Sequence, residues 1–356
     1  MDLLSLTKED WEVRLGEMGQ PKFRAKQILE WLYRRRVRDW AEMTNLPAPL
    51  REGLEKAFPP VVLARVREAG AGDATRKFLF GLADGQRIES VLLSASPAFY
   101  GEASDRRTVC LSSQVGCAYG CKFCASGLDG WKRNLTAGEM VDQFLQVEAL
   151  SGEKINNIVF MGMGEPLANF DNLMRAIGIL NAQWGPGLGA RHMTVSTSGL
   201  VPQIRQLADQ PLQVRLAVSL HGATDEVRSR IMPVNKKYPL GELLEACEEY
   251  VRKKKQRITF EYILIRDVND MPAQAALLAG LTRRLNAKIN LIPCNAVGGL
   301  DWRRPEEDRQ EAFLAVLRNA GALATLRREK GHDIAAACGQ LRLQVQAQEQ
   351  KPAPPA

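Results

Sequence analysis

From residue 108 onward the chain alternates short apolar runs with amphipathic helical stretches, six times over. The strand-like runs are 108–115, 157–162, 191–197, 213–220, 257–265 and 288–294. The helical stretches cover 136–151, about 170–184, 201–209, 225–231 with 240–255, 272–285 and 305–320. Thr136 and Glu139 have capping-box spacing at the start of the first. Pro305 opens the last, with acids in its first turn, as the helix dipole favours. Strands joined by crossover helices imply a parallel sheet. Six units fall short of the eight that close a TIM barrel, so the expected fold is α/β, an open, partial (βα)6 TIM-like barrel. In such folds the ligand sits at the C-terminal ends of the strands.

Residues 1–60 read as a small helical N-terminal domain. Thr7 and Asp10 resemble a capping pair, 22–37 has apolar residues at helical spacing, and 49–58 is a third helix. Lys22 to Arg38 holds seven basic residues and one acid, which suits either an RNA-facing helix or a solvated charged face. Residues 61–107 form a β-rich connecting segment of three short strands, with turns at Gly70-Ala71-Gly72 and Asp84-Gly85. The barrel then occupies 108–344, and the aperiodic tail 345–356 is expected to be disordered. A net charge of +7 permits a nucleic-acid partner without requiring one. No apolar run approaches the roughly 18 residues of a membrane span, and the N-terminus has no signal core. Seven Cys is an odd count in a long chain, so a reducing, cytoplasmic setting is expected. Three His leave little room for imidazole chemistry.

Cys117, Cys121 and Cys124 form a CxxxCxxC cluster just after the first strand, at the ligand-binding edge. Three thiolates on one loop can hold three corners of an iron–sulfur cube and leave one iron open for a ligand. A structural zinc would want a fourth close ligand, and no His or Cys follows Cys124 before His192. An iron–sulfur cluster is therefore preferred over zinc or unrelated thiols. This motif, with Phe123 before its last Cys, resembles the radical S-adenosylmethionine (SAM) superfamily. Other strand ends agree with that likeness. Gly162-Met-Gly164-Glu165-Pro166 follows the second strand, Ser196-Thr-Ser-Gly199 ends the third, Ser219-Leu220-His221 the fourth, and Asn295 the sixth. Small polar residues there suit a nucleoside with an amino-acid tail. The glycines would let backbone approach it, with carbonyls accepting its ammonium.

A narrower likeness rests on Phe23-Arg-Ala-Lys-Gln27, Cys110-Leu-Ser-Ser-Gln-Val-Gly-Cys117, Met161-Gly-Met-Gly-Glu-Pro-Leu167, Asn235-Lys-Lys-Tyr238, Ile289-Asn-Leu-Ile-Pro293 and Asp333-Ile-Ala-Ala-Ala-Cys338. Over roughly residues 5–342 the chain resembles the RlmN family of adenine-C2 RNA methyltransferases, relatives of Cfr. The resemblance implies a [4Fe-4S] cluster on Cys117, Cys121 and Cys124. It implies SAM contacts from Gly164, Glu165, Ser196, Ser219, Leu220, His221 and Asn295. It further implies a two-SAM route. Cys338 is first methylated by substitution, its methyl group then adds to adenine C2 as a radical, and Cys110 resolves the adduct through a transient disulfide with Cys338. Glu89 matches the family's proton acceptor, and on the residues alone it is as readily a surface carboxylate. Implied substrates are 23S rRNA near the peptidyl-transferase centre and the tRNA adenine 3′ to the anticodon. Arg252-Lys-Lys-Lys255 and Arg283-Arg284 would join the N-terminal helix in gripping phosphates. An electron donor such as flavodoxin or ferredoxin and a monomeric state complete the expectation. The alternatives are a Cfr-like C8 methyltransferase, an iron–sulfur RNA-binding paralogue without methyl transfer, and a radical SAM enzyme acting on a small molecule or a protein. Cys294 departs from the family pattern, where an aromatic is usual, and Cys247 reads as buried and inert.

Overall fold

The computed structural model describes residues 2–59, 63–70, 75–94, 105–128, 130–295 and 301–327. Cys338 and the tail 345–356 lie outside the described residues. The N-terminal helices are α1 (Lys8–Glu17), α2 (Phe23–Leu29) and α3 (Ala48–Ala57). The Thr7 hydroxyl accepts from the Asp10 N–H at 3.2 Å, and the Asp10 carboxylate accepts from the Thr7 N–H at 3.0 Å. The single helix expected over 22–37 is not continuous. After Leu29 the chain widens into a π turn, Glu30–Arg34. Trp31, Leu32 and Tyr33 are consecutive and all buried, an arc of about 200° on a regular α-helix, more than one apolar stripe holds. Trp31 Nε1 donates to Asn45 Oδ1 at 2.6 Å, and Trp11 packs edge-on against Trp40 and Phe58.

A ten-stranded sheet carries the rest. Its strands are β1 (Ala64–Gly70), β2 (Thr75–Gly81), β3 (Arg87–Ser94), β4 (Arg107–Cys110), β7 (Asn157–Phe160), β8 (Met193–Thr197), β9 (Arg215–Ser219), β10 (Thr259–Leu264), β11 (Lys288–Pro293) and β12 (Leu323–Leu326), adjacent in that order. β1 to β4 pair antiparallel, and β4 and β7 to β12 pair parallel. The three strands of 61–107 thus extend the same sheet. The parallel run has seven strands, one more than expected. β12 is only four residues long, too short to register as a period. Crossover helices α5 (Ala137–Ser151), α6 (Phe170–Asn181), α7 (Val201–Asp209), α8 (Asp225–Ile231), α9 (Leu240–Lys254), α10 (Pro272–Leu285) and α11 (Glu307–Asn319) follow the predicted stretches closely. Among the described residues the barrel is open, with β1 and β12 as unjoined edges.

The run 108–115 is two strands. At Ser112 the chain leaves the sheet: its hydroxyl donates to the Glu89 carbonyl at 2.7 Å and its N–H to Gln143 Oε1 at 2.8 Å. β5 (Gln114–Gly116) then pairs antiparallel with β6 (Trp131–Asn134) as a separate ribbon. The cysteine loop and the one-turn helix α4 (Ala125–Leu128) lie between these two strands. Gly116 has φ +73°, and a Cβ there would stand 1.8 Å from the Gly130 carbonyl, so only glycine closes the ribbon.

The N-terminal domain is fastened to α5 and α6. Asp142 takes an ion pair from Arg38 and accepts from the Leu63 N–H at 2.8 Å, while Glu148 pairs with Arg36. The Thr136 hydroxyl donates to Asp2 at 2.6 Å, the Gly138 N–H to the Ser5 hydroxyl at 2.7 Å, and Arg175 to Asp10 at 2.5 Å. Two of the seven basic residues of 22–38 therefore serve this joint. Arg35 also pairs with Glu30.

Candidate active site

One cavity opens at the C-terminal ends of the parallel strands. Its wall holds Cys117, Cys121 and Cys124 from the loop, Gly162, Gly164 and Glu165 after β7, Ser196 and Ser219 in the last residues of β8 and β9, and His221 just after β9. Glu261 of β10 and Arg327 after β12 add charged groups to the lining. The strand-end rule therefore brings together most of the residues expected from sequence.

Cys117 and Cys121 sit in desolvated places. Burial pushes Cys117 up to about 12 and Cys121 well above the usual thiol range, and the neighbouring thiols reinforce both shifts. Such thiols stay protonated at neutral pH unless a cation compensates them. No three His, Cys, Asp or Glu side chains among the described residues stand ready in metal-holding geometry, so ligation requires the thiols to turn toward one another. A donor set of three soft sulfurs on one short loop fits an iron–sulfur cluster with one open iron.

Glu165 is fully buried. Its carboxylate accepts from the Ser198 N–H at 2.6 Å and the Leu167 N–H at 3.1 Å, and its own N–H donates to Gln114 Oε1 at 2.8 Å. Burial raises its pKa, and the backbone N–H of Ser198 is the first of the donors that oppose the rise. The glycines beside it have a double duty. A Cβ on Gly162 would meet the Leu111 carbonyl at 2.7 Å, and one on Gly164, at φ +99°, would meet the Gln114 side chain at 2.5 Å. Both line the cavity and also pack on the segment entering β5. The Met163 carbonyl accepts from the Ser113 and Gln114 N–H groups. That carbonyl is committed to the fold.

His221 has φ +56° and is a neutral ring. Its Nδ1 accepts from the Ile263 N–H at 3.0 Å, which leaves the proton on Nε2, and Phe123 packs on it edge-on at 4.7 Å. Burial, aided by Arg228, pulls its pKa down to about 3. Leu220 is buried in the core, its N–H donating to the Glu261 carbonyl, and it does not reach the cavity. Asn295 accepts from Arg304 at 3.3 Å and is also absent from the wall formed by the described residues.

Cys110 and Glu89 are buried, so Glu89 is not a surface carboxylate; it forms an ion pair with Lys77 at 3.4 Å. Neither lines the cavity, yet strand register places both on its face of the sheet. Val91 pairs with Cys110 and Cys110 with Val159, and cavity-lining Met161 is two residues beyond Val159. Glu89 is two residues before Val91 and shares the same face.

Residues 111–279 match the Radical SAM superfamily, and residues 1–58 match the ribosomal RNA large subunit methyltransferase N-terminal domain. A protein of Akkermansia muciniphila named a probable dual-specificity RNA methyltransferase RlmN is 54% identical, over 95% of this chain and 94% of its own. A namesake from Heliobacterium modesticaldum is 47% identical, over 98% and 91%. The chain belongs to the RlmN family. A radical SAM methyltransferase from Sphaerobacter thermophilus has the same architecture, with a TM-score of 0.90 and 48% identity over 96% of this chain and 99% of that one. As a radical SAM protein, the chain uses a [4Fe-4S] cluster and SAM as cofactors. No helix among the described residues is long and apolar enough to cross a membrane.

Within this RlmN fold, sequence reasoning missed Glu261, Arg327 and Arg228. Glu261 had a signal: it is a lone charge inside the apolar run 258–265. It is buried, accepts from Asn290 at 2.7 Å, and has its pKa raised by burial against the pull of Arg327. Arg228 sits in an ordinary charged helical stretch and gave none. The basic clusters read as phosphate grips are largely engaged. Lys253 pairs with Asp209 and Glu249, Lys254 is buried on the Gln210 and Leu212 carbonyls, and Arg284 pairs with Glu248.

Proposed function

We propose that the chain methylates C2 of adenine in RNA, acting on 23S rRNA at the peptidyl-transferase loop and on the tRNA adenine 3′ to the anticodon. The observation that carries this reading is the 54% identity to a relative named for dual-specificity RNA methylation, across both the N-terminal domain and the cavity. Cys117, Cys121 and Cys124 hold the cluster, and Gly164, Glu165, Ser196, Ser219 and His221 hold SAM at the cavity wall. When bound, the cluster would supply one-electron reducing chemistry toward SAM, with the electron drawn from a donor such as flavodoxin or ferredoxin. Cys338 accepts the methyl group that is passed on to the base. The Cys110 thiolate then attacks the Cys338 sulfur, the carbon–sulfur bond to the product breaks, and the disulfide left behind is reopened by an external reductant. Glu89 takes the proton lost from the modified carbon. Its place near Cys110 on the cavity-facing side of the sheet supports that role. The base reaches this site unstacked, because C2 is otherwise enclosed by stacking.

Anaerobic turnover on unmodified 23S rRNA fragments and tRNA, with the nucleoside identified by chromatography and mass spectrometry, tests the reading. 2-Methyladenosine from both RNAs is expected. 8-Methyladenosine would indicate Cfr-like chemistry. A loaded protein that binds RNA but yields neither methylated base nor 5′-deoxyadenosine would be a binding paralogue.

A further inference from the structure

Arg228 on α8 is fully buried, with no carboxylate within ion-pair distance among the described residues. Its Nη1 donates to Asn235 Oδ1 at 2.7 Å and its Nη2 to the Ser198 carbonyl at 2.5 Å, while Nε is buried without a partner. A buried cation held only by neutral acceptors is costly, and the fold makes special room for it. A Cβ on Gly199 would come within 2.8 Å of Nη2, and one on Gly222 within 2.6 Å of the Arg228 backbone. Asp225 is reached only through Asn235, whose amide donates to its carboxylate at 2.8 Å.

The same helix touches the cysteine loop. The Lys122 N–H, next to Cys121, donates to the carbonyl of Ile231 at 3.0 Å, and the Met232 N–H returns to the Arg228 carbonyl at 2.7 Å. Met232 lines the cavity beside the thiols. Burial lowers Arg228 to about 10, and the group that most strongly opposes this is Cys121. Cys247, the other thiol near the guanidinium, is pushed up to about 12 by burial and stays neutral. Ser198, whose carbonyl accepts from Nη2, also lines the cavity, so the guanidinium stands directly behind the cavity wall, on the helix that meets the cysteine loop.

We infer that Arg228 is a positioning residue that supplies a fixed positive charge behind the Cys121 side of the cluster site and thereby favours the reduced cluster. The inference rests on the three loop cysteines being the cluster ligands. Reduction adds one negative charge to a centre already bearing three thiolates, and a buried cation stabilises that charge more than water-screened surface cations do. Asn235 holds the guanidinium without neutralising it. Ser198 joins it to the SAM side, because the residue whose carbonyl accepts from Arg228 also donates its N–H to Glu165.

The test is an EPR-monitored redox titration of the reconstituted holoenzyme and its Arg228→Lys, Arg228→Gln and Asn235→Asp variants. At the wild-type midpoint, Arg228→Gln is expected to lower the ratio of reduced to oxidised cluster about tenfold, equivalent to about 59 mV for one electron. Arg228→Lys should keep the wild-type ratio to within about threefold, because charge and not shape is what matters. Asn235→Asp sets a carboxylate against Nη1 with little change of volume and should shift the midpoint in the same direction as Arg228→Gln. A Gln variant with full iron content and an unchanged midpoint would overturn the inference. If the Gln variant fails to fold or load, an unchanged midpoint in Asn235→Asp overturns it instead. A wild-type protein that takes up no cluster would sink the ligand assignment itself, a separate outcome visible in the iron content.

Discussion

At the scale of single residues, His221 shows how the fold fixes a charge state. Its folded pKa is about 3 against 6.5 for a free imidazole. Below about pH 6.5 the unfolded chain binds a proton that the folded chain refuses, so stability is lost as pH falls toward 3. The slope approaches about 1.4 kcal/mol per pH unit for one proton. Glu165 and Glu261 are shifted upward and act in the opposite sense, so the contrast with His221→Gln isolates the imidazole. Urea unfolding between about pH 6.5 and 5 should show a flatter pH dependence in the variant. Equal slopes would mean that the ring is protonated in the fold. Two cysteine variants probe the chemistry. Cys338→Ala should yield no methylated RNA, and methylation at the wild-type rate would rule out a methyl-bearing Cys338. Cys110→Ala should stall as a protein–RNA crosslink, seen as a shifted band on a denaturing gel; normal product release would remove its resolving role. Residues with a chemical signature, such as the CxxxCxxC cysteines or Glu165, were legible in the sequence. Arg228 was not, because a buried arginine and a solvated one look alike until the helix carrying it is packed.

At the scale of elements, the parallel strands were legible because both their faces are buried and they read as apolar runs. β5 was hidden inside one such run, because only backbone geometry at Ser112 and Gly116 separates it from β4, and the four residues of β6 are too few to register as a period. The basic residues of 22–38 were only partly legible, for a different reason. Charge composition does not say whether Arg36 and Arg38 meet phosphate or the acids of α5. Asp142 is buried against Arg38, so Arg38→Ala leaves an uncompensated buried carboxylate. A loss of about 3 kcal/mol is expected in chemical denaturation. A loss below about 1 kcal/mol would place the pair in the class of exposed ion pairs. Gly164→Ala meets both a left-handed backbone and the Gln114 side chain, and it must displace Glu165. Calorimetry should show SAM binding weakened at least tenfold, while the iron content is retained. Wild-type SAM affinity would show that Glu165 tolerates the shift.

At the scale of the whole molecule, the surviving candidates for RNA contact are fewer than the charge count suggests. Lys22, Lys26 and Arg34 are exposed and have no ion pair among the described residues. Replacing each with Ala should reduce the slope of log affinity against log salt by about 0.7–0.9. Lys254→Ala should leave that slope unchanged, because its ammonium already serves two carbonyls. Fluorescence anisotropy over a salt series measures both, and an unchanged slope in the triple variant would move the RNA-binding face elsewhere. The joint between the N-terminal domain and α5 bears on the same question. Asp2 and Ser5 meet Thr136 and Gly138 across more than 130 residues of chain, and a Cβ on Gly138 would stand only 1.8 Å from the Asp2 carboxylate. A contact so close leaves no play between handle and blade. The span from any nucleotide held by the first helices to the sulfur-lined cavity is then a constant of the enzyme, and a candidate RNA is measured against a fixed gauge: a base offset by one nucleotide falls short of the cavity or overshoots it.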